Sequence, residues 1–210
     1  MSLPPKIVDK NGEESFGGSQ MWLPDPMLLN SGCGIIAGLD AVMRLKGEKG
    51  MTREEYFKRF FEAKDYIRPI TVGKNRDPRK LFGKEFLGSF GVSAGRFRRG
   101  IKKLGVKEGL SVKVRPFRFR WWEKIPKYLE GGDPVVMLIT APFNNVAVEL
   151  PNGHQTMCGY HWVTVTDIEG DILYVSSWGM KCRMYLKQLK KFNVILHFYS
   201  VSLEKQSNIV

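Results

Sequence analysis

The sequence is poor in cysteine and has no long hydrophobic run. Its three cysteines, Cys33, Cys158 and Cys182, form neither a disulfide framework nor a CxxC metal pattern. No stretch of about 18 uncharged apolar residues occurs, and no apolar run follows a basic start at the N-terminus. We therefore expect no membrane span and no export signal, and the low cysteine count favours a cytoplasmic location.

Motifs of several enzyme classes are also missing. The chain has no GxxxxGK[ST] phosphate loop and no GxGxxG after a predicted strand, which disfavours nucleotide-dependent chemistry. It also lacks the HExxH of zinc peptidases and the GxSxG of serine hydrolases. His154, Cys158 and His161 are close in sequence, but a zinc site normally needs a fuller ligand set. We expect neither a cofactor nor a metal.

Positive charge is concentrated in one segment. The chain carries a net charge of +12, and the stretch from Arg68 to Arg120 alone holds sixteen Lys and Arg against three acidic residues. Such a segment attracts acidic partners through salt-sensitive interactions.

An aromatic and arginine-rich run ends this basic segment. It contains Arg115, Phe117, Arg118, Phe119, Arg120, Trp121 and Trp122. Aromatic rings interleaved with arginine suit stacking on the bases of single-stranded nucleic acid. Core packing beside a solvated basic edge is the interpretation that we favour. The expected partner is therefore a peptide or protein, with charge that suits an acidic one, and not nucleic acid.

Helical patterns dominate the first part of the chain. Residues 1–32 are rich in Gly, Pro and Ser, which predicts an extended arm and a loop. Apolar periodicity and capping residues then predict four helices. They are expected at Gly34–Leu45 with Gly47 as a stop, after a Thr52–Glu55 capping box, from Ser93 to Leu104, and at Trp121–Leu129.

The pattern changes to short β-strands after residue 130. Runs rich in Val, Ile, Thr and aromatics follow one another: PVVMLIT, YHWVTVTDI, DILYVSSW, KCRMYL and NVILHFYSV. The segment Glu169-Gly170-Asp171 predicts a hairpin turn. Because helices precede strands and do not alternate with them, the sequence predicts a single α+β domain over 1–210. A mainly helical lobe is expected at 33–130 and an antiparallel sheet lobe at 131–210.

Cys33 occupies a chemically useful place in this arrangement. It follows Gly32 and precedes Gly34, where the predicted loop gives way to the first helix. A helix N-terminus presents unpaired N–H groups and a partial positive charge, which lowers the pKa of a thiol. The two glycines would let a substrate backbone approach. A cysteine at such a place is more often a small buried hydrophobe, and this alternative stays open.

Three sequence blocks carry a family resemblance. GCG at a helix start, then GYHWVTVTDI, then YVSSWG, in this order resemble the papain-like cysteine peptidase superfamily, on its bacterial, bacteriocin-leader-peptidase-like branch. There a Cys opens the central helix, a His precedes an apolar strand, and NSWG follows. The resemblance spans most of the chain. It implies a helical lobe with Cys33 and a sheet lobe with His161, and an active site between them.

The same resemblance implies roles for individual residues. Cys33 would be the nucleophile, His161 the general base and acid, and Trp178 the ring that shields the pair from solvent. Ser176 stands where the family has the Asn that orients the histidine. Asp167 would replace it only if the strand bends, since six residues along a strand span about 20 Å.

The second oxyanion donor has no direct counterpart. The family's Gln, six residues before the Cys, corresponds to Met27. Asn30 or Gln20 is the candidate for the missing amide, because an oxyanion site needs a preorganised donor beside the Cys33 N–H. Each could equally hydrogen-bond the loop to itself.

The leading hypothesis is a cysteine peptidase or amidase that hydrolyses a peptide or amide bond through a Cys33–His161 thiolate–imidazolium pair. A second is a catalytically degenerate papain-like binding domain, which the residues at Met27 and Ser176 make credible. A third is a basic nucleic-acid-binding module in which Cys33 is merely buried.

Overall fold

An eight-stranded antiparallel sheet organises the part of the chain that the structure describes. The computed structural model describes residues 3–70, 91–141, 146–191 and 194–204. The strands are β1 (Lys6–Val8), β2 (Glu14–Phe16), β3 (Gly50–Thr52), β4 (Val112–Phe117), β5 (Val135–Thr140), β6 (Val146–Glu149), β7 (Gln155–Cys158), β8 (Tyr160–Glu169), β9 (Ile172–Ser177), β10 (Met180–Tyr185) and β11 (Ile195–Leu203). The helices are α1 (Pro26–Ser31), α2 (Cys33–Leu45), α3 (Arg53–Lys64), α4 (Ala94–Lys107), α5 (Trp121–Glu130) and α6 (Leu186–Leu189), with a 3-10 turn at Gln20–Trp22.

The large sheet has the strand order β4-β11-β5-β8-β9-β10-β6-β7, and its described pairings are antiparallel. A smaller sheet, β2-β1-β3, joins the N-terminal arm to the segment just before α3. The predicted combination of helices with a large antiparallel sheet is therefore present. None of the helices among the described residues is long and apolar enough to cross a membrane.

Two apolar cores lie on opposite faces of the large sheet. One contains Leu39 of α2, Phe97 of α4 and Trp162 of β8. The other contains Val163 of β8 together with residues of α5 and β11 such as Phe198. Because successive strand residues face opposite sides, the neighbours Trp162 and Val163 belong to different cores.

Helix α2 is buried on almost every side. A helix that is apolar around its whole circumference lies inside a protein, and all residues of α2 except Leu45 are buried. Gly47 follows its end with φ +76°, a left-handed conformation that glycine adopts without steric cost. The predicted helix and its stop are confirmed, and so is the Thr52–Glu55 capping box of α3.

Two parts of the fold differ from the sequence-based prediction. The N-terminal arm is more than an extended loop, since it contributes β1 and β2 to the small sheet. Strand β4 lies within the segment predicted to be mainly helical, yet it pairs with β11 in the large sheet. Its Pro116 and its exposed cations are typical of an edge strand. Because the alternating residues are few, the strand is hard to recognise from the sequence.

The predicted hairpin joins β8 and β9, with Gly170 at φ +54° in the turn. Beyond the turn the register shifts by one residue. Asp167 pairs with Tyr174, whereas Val165 pairs with Val175, so Thr166 is an extra residue on β8. This is a β-bulge, which changes which residues of the two strands share a face.

Gly34 lets the first turn of α2 pack tightly on its neighbours. A Cβ at this position would lie 2.8 Å from Cβ of Val92 and 3.0 Å from Cδ1 of Trp162. We expect Gly34→Ala to lower the free energy of unfolding by about 1–3 kcal/mol, as overpacking does. Urea unfolding measures the change.

Gly95→Ala is the matched control for this prediction. A Cβ there would meet its nearest atom, Nη1 of Arg99, at an ordinary 3.6 Å. Since alanine has the higher helix propensity, this variant should be as stable as the wild type or up to about 1 kcal/mol more stable. Equal effects of the two substitutions would contradict the packing argument.

Candidate functional site

Cys33 is the first residue of α2, and its side chain is buried, with 6% of the residue exposed. The sequence predicts a loop before it. The structure instead has the short helix α1, which ends at Gly32 in a right-handed helical conformation. The Gly32 carbonyl accepts hydrogen bonds from the N–H groups of Ile35 and Ile36, so one helix follows directly on the other.

The electrostatic environment of Cys33 is opposite to the predicted one. Burial raises the pKa of the Cys33 thiol above its usual value, although the N–H groups of Trp162, Gly34 and Cys33 itself favour the thiolate. The expected activation by the helix N-terminus is therefore outweighed in this conformation. The Trp162 N–H belongs to the peptide bond with His161, so the thiol lies beside the backbone of the candidate base. The hydrogen bonds of the described residues do not join the Cys33 thiol to the His161 ring.

His161 is held by two neighbours on β9 and just beyond it. Its Nε2 lies 2.7 Å from Oγ of Ser177, and its ring stacks on Trp178 with 4.7 Å between centroids and 17° between planes. Trp178 has φ +52°, uncommon for a residue other than glycine. Burial lowers the pKa of His161 to about 4, so its imidazole is neutral near pH 7.

Ser176 does not contact His161. Its Oγ donates a hydrogen bond of 2.7 Å to the carbonyl of Phe16 in the N-terminal arm. The bulge at Thr166 pairs Ser176 with Thr164, and thereby places Ser177 on the face of His161. An unbulged hairpin would pair Ser176 with Val165 and give it that face. Sequence reasoning therefore missed Ser177 by one position.

The candidates for the second oxyanion donor, and the two residues compared with the family's Gln and Asn, lie in different local environments. The Asn30 amide is exposed and donates to the carbonyl of Pro26, 2.8 Å away, so it is engaged within its own helix. Gln20 lies in the 3-10 turn, and its buried Oε1 has no hydrogen-bond partner among the described residues. Met27 is in the first turn of α1, where its N–H donates to Asp25. Asp167 accepts a hydrogen bond from the N–H of Ile168.

The two glycines beside Cys33 serve packing. A Cβ at Gly32 would lie 2.6 Å from the carbonyl oxygen of Leu28. The space in front of Gly34 is filled by Val92 and Trp162, so in this conformation no room is left there for a substrate backbone.

A buried carboxyl group lies two helical turns after Cys33. Asp40 accepts hydrogen bonds from the Tyr56 hydroxyl at 2.8 Å and from the Gly18 N–H at 3.2 Å. Burial raises its pKa to about 7. The arm residue Gly17 lies between Asp40 and Ser176, since a Cβ there would be within 2.6 Å of an oxygen of each. An acidic residue among the apolar residues in the middle of α2 was the sequence signal for this group.

The remaining cysteines and histidines form no metal-binding group within the described part of the chain. Cys158 and Cys182 are buried, which raises the pKa of their thiols to about 12 and about 11. His154 is exposed in the turn before β7. Within the described ranges, no three His, Cys, Asp or Glu side chains lie together as metal ligands would.

The fold has a structural counterpart, although sequence comparison finds none. No protein-family model matches the chain, and no curated protein matches it. A crystal structure from Bacillus anthracis, described provisionally as a C39-like peptidase, is similar in fold with a TM-score of 0.51. The two share 14% identity, and the alignment covers 81% of this chain and 88% of that chain. The similarity is one of fold.

Titration of His161 should be visible in the stability of the protein. Its pKa is about 4 when folded and 6.5 in a free side chain, so between these values the unfolded chain binds the proton first. The contribution of His161 to the free energy of unfolding is constant above pH 6.5 and falls as the pH drops to 4. The total change over this range is about 3 kcal/mol. We expect His161→Gln to gain stability relative to the wild type on acidification, as measured by urea unfolding between pH 4.5 and 8.

Asp40→Asn provides a control of opposite sign. The raised pKa of Asp40 means that its contribution to stability is present below about pH 4 and is lost as the pH rises to about 7. Removing the carboxyl group should therefore make the protein lose stability on acidification more steeply than the wild type. Parallel pH profiles for the wild type and both variants would contradict the buried positions of these groups.

Proposed function

We propose that the chain is a cysteine peptidase or amidase of the papain-like kind, with Cys33 as nucleophile and His161 as general base and acid. The observation that carries the proposal is the thiol at the start of α2, beside the backbone N–H of Trp162 and hence beside the backbone of His161. The fold similarity to a C39-like peptidase supports it. No cofactor enters the proposed reaction.

The proposed reaction needs one proton carrier and one nucleophile. Nδ1 of His161 takes the proton of the Cys33 thiol, and the thiolate attacks the carbonyl carbon of the substrate. His161 returns the proton to the leaving amine as the C–N bond breaks, which leaves a thioester. Water then gives a proton to His161 and attacks the thioester carbon. The acid product leaves, and the proton returns to sulfur.

Ser177 acts as a positioning residue in this scheme. If Nε2–H of His161 donates to Oγ of Ser177, then Nδ1 is unprotonated and can accept the thiol proton. Stacking on Trp178 fixes the plane of the same ring. The Cys33 N–H would supply one oxyanion donor, and Gln20 is the candidate for the second, since the Asn30 amide is engaged within α1.

The resting conformation is closed and uncharged. Both Cys33 and His161 are 6% exposed, and burial favours the neutral form of each. Substrate binding must therefore open the site before an ion pair forms. The same observations favour the alternative function, a papain-like binding domain without catalysis, and the experiment below separates the two.

Labelling with an electrophilic peptide tests the nucleophile. A set of peptidyl vinyl sulfones, with acidic and neutral sequences, should modify Cys33 and leave Cys158 and Cys182 intact, as mapped by mass spectrometry. Cys33→Ala should abolish labelling, and His161→Ala should slow it by at least about a hundredfold, which is the usual contribution of a general base. A folded protein with no Cys33 labelling by any probe would favour the binding domain.

Substitutions at the two serines test the positioning role. Ser177→Ala should lower the maximal labelling rate of Cys33 about tenfold without changing the probe concentration at half-maximal rate, because the ring loses its hydrogen bond and not its substrate contacts. Ser177→Asn should restore part of the rate, since an amide oxygen also accepts from Nε2–H. Ser176→Ala is the matched control and should leave the rate unchanged. Equal effects of the two alanine substitutions would contradict the assignment.

A further inference from the structure

A cavity of about 570 Å³ lies between the start of α5, the end of α6 and the start of β11. We call it the Trp122 cavity. Its apolar part includes Trp121, Leu189 and Leu196, which belong to the core on this face of the sheet. Its outer part includes the rings of Phe119 and Trp122, which are 77% and 36% exposed. Exposed aromatic rings beside a cavity form a contact surface for a planar apolar group.

Cations surround these exposed rings. Arg118, Arg120, Lys190 and Lys191 line the cavity and are exposed. Arg120 forms an ion pair with Glu123, and Lys190 lies over one face of Trp122, 4.6 Å from the ring centroid. Arg118 and Lys191 form no ion pair with another described residue. The cavity therefore presents unneutralised positive charge next to bare aromatic surface.

The structure separates the aromatic run into two roles. Phe117 and Trp121 are buried and stack on Phe198, as the core-packing interpretation requires. Phe119 and Trp122 are left outside the core, and Phe119 has no aromatic partner among the described residues. Core packing thus explains half of the run. In the exposed half, Trp122 contacts Trp121 and Lys190, whereas the ring of Phe119 is left uncovered.

A ligand for this surface must combine flat rings with closely spaced negative charge. Single-stranded nucleic acid does so, because each nucleotide carries a base that can stack and a phosphate that can pair with a cation. A duplex hides its bases, and an acidic peptide without aromatic residues would satisfy the cations but not the rings. The net charge of +12 on the chain would also draw in a polyanion.

We propose that the Trp122 cavity binds single-stranded nucleic acid, with bases stacked on Phe119 and Trp122 and phosphates paired with Arg118 and Lys191. This site is independent of the proposed peptidase chemistry. It also reverses the sequence-based preference against a nucleic-acid partner.

Fluorescence anisotropy with short labelled oligonucleotides tests the proposal. Single-stranded dT10 and U10 should both bind more tightly than a ten-base-pair duplex, because a duplex hides its bases. Phe119→Ala should weaken single-strand binding about tenfold, a typical effect of losing one stacked base. Arg118→Gln combined with Lys191→Gln should weaken binding and reduce its dependence on salt concentration.

Matched variants elsewhere on the surface control for general effects. Phe61 of α3 is 43% exposed and has Lys64 over its ring. Phe61→Ala therefore removes an exposed aromatic ring beside a cation at another place on the surface. Lys102 is an exposed cation of α4, and Lys102→Gln removes charge away from the cavity. Both variants should bind dT10 within about twofold of the wild type.

Three results would overturn the proposal. One is equal binding of single strand and duplex with no effect of Phe119→Ala, which would indicate nonspecific attraction of a polyanion. Another is binding of a ten-residue polyglutamate as tight as that of dT10, which would indicate an acidic protein partner. The third is loss of binding in Phe61→Ala as large as in Phe119→Ala. Labelling of Cys33 by peptide probes has no bearing on any of these outcomes.

Discussion

The register of β8 against β9 is the constraint on which the candidate site depends. Thr166 is one residue too many in β8, and it shifts the pairing beyond it by one position. This shift turns Ser177 and His161 to the same face and Ser176 to the other. Two chemically identical neighbours thereby acquire separate partners, one in the candidate site and one in the N-terminal arm. Strand faces alternate with a period of two, so a slip of one residue exchanges every contact at once.

Burial determines the charge state of the candidate pair. A helix N-terminus stabilises a thiolate by a few tenths to about 1 kcal/mol when it is exposed, whereas desolvation of a fully buried ionised group costs more. At Cys33 the second effect exceeds the first, and His161 is also kept neutral. In the closed form both groups are therefore neutral and unreactive. Catalysis requires that a substrate or a movement of the protein changes the surroundings of these two groups. Asp40 titrates in the opposite sense, so the two buried groups offset each other in the pH dependence of stability.

Short-range sequence patterns predicted much of the architecture. The apolar periodicity of α2, the Thr52 capping box and the Gly170 turn each follow from residues within a few positions of one another, and each was found where expected. Cys33 at the start of a helix also followed from such a pattern. Features that depend on distant residues were missed. Strand β4 is recognisable through its partner β11, some eighty residues later, because its own alternation of valines and cations is short and ends at a proline.

At the candidate site, too, the features that depend on distant residues could not be predicted from the sequence. Alternating Val and Thr in β8 carry no trace of the bulge, so the choice between Ser176 and Ser177 was not readable from the chain. Nor was the burial that raises the pKa of Cys33, because it depends on how β8 and the apolar core close around the thiol. The exposed half of the aromatic run, Phe119 and Trp122, could likewise be separated from the buried half only in three dimensions.

The hydrogen bond from Ser176 to Phe16 has a consequence for the order in which the protein is assembled. Its two partners are 160 positions apart, so the arm leaves the ribosome long before β9 exists. Asp40 offers Gly18 an earlier contact, but that carboxyl group must first be desolvated by the packing of α2. Closing so long a loop costs conformational entropy, which slows the formation of contacts between distant residues. The first segment to be synthesised can therefore complete its contacts only after β9 has been made.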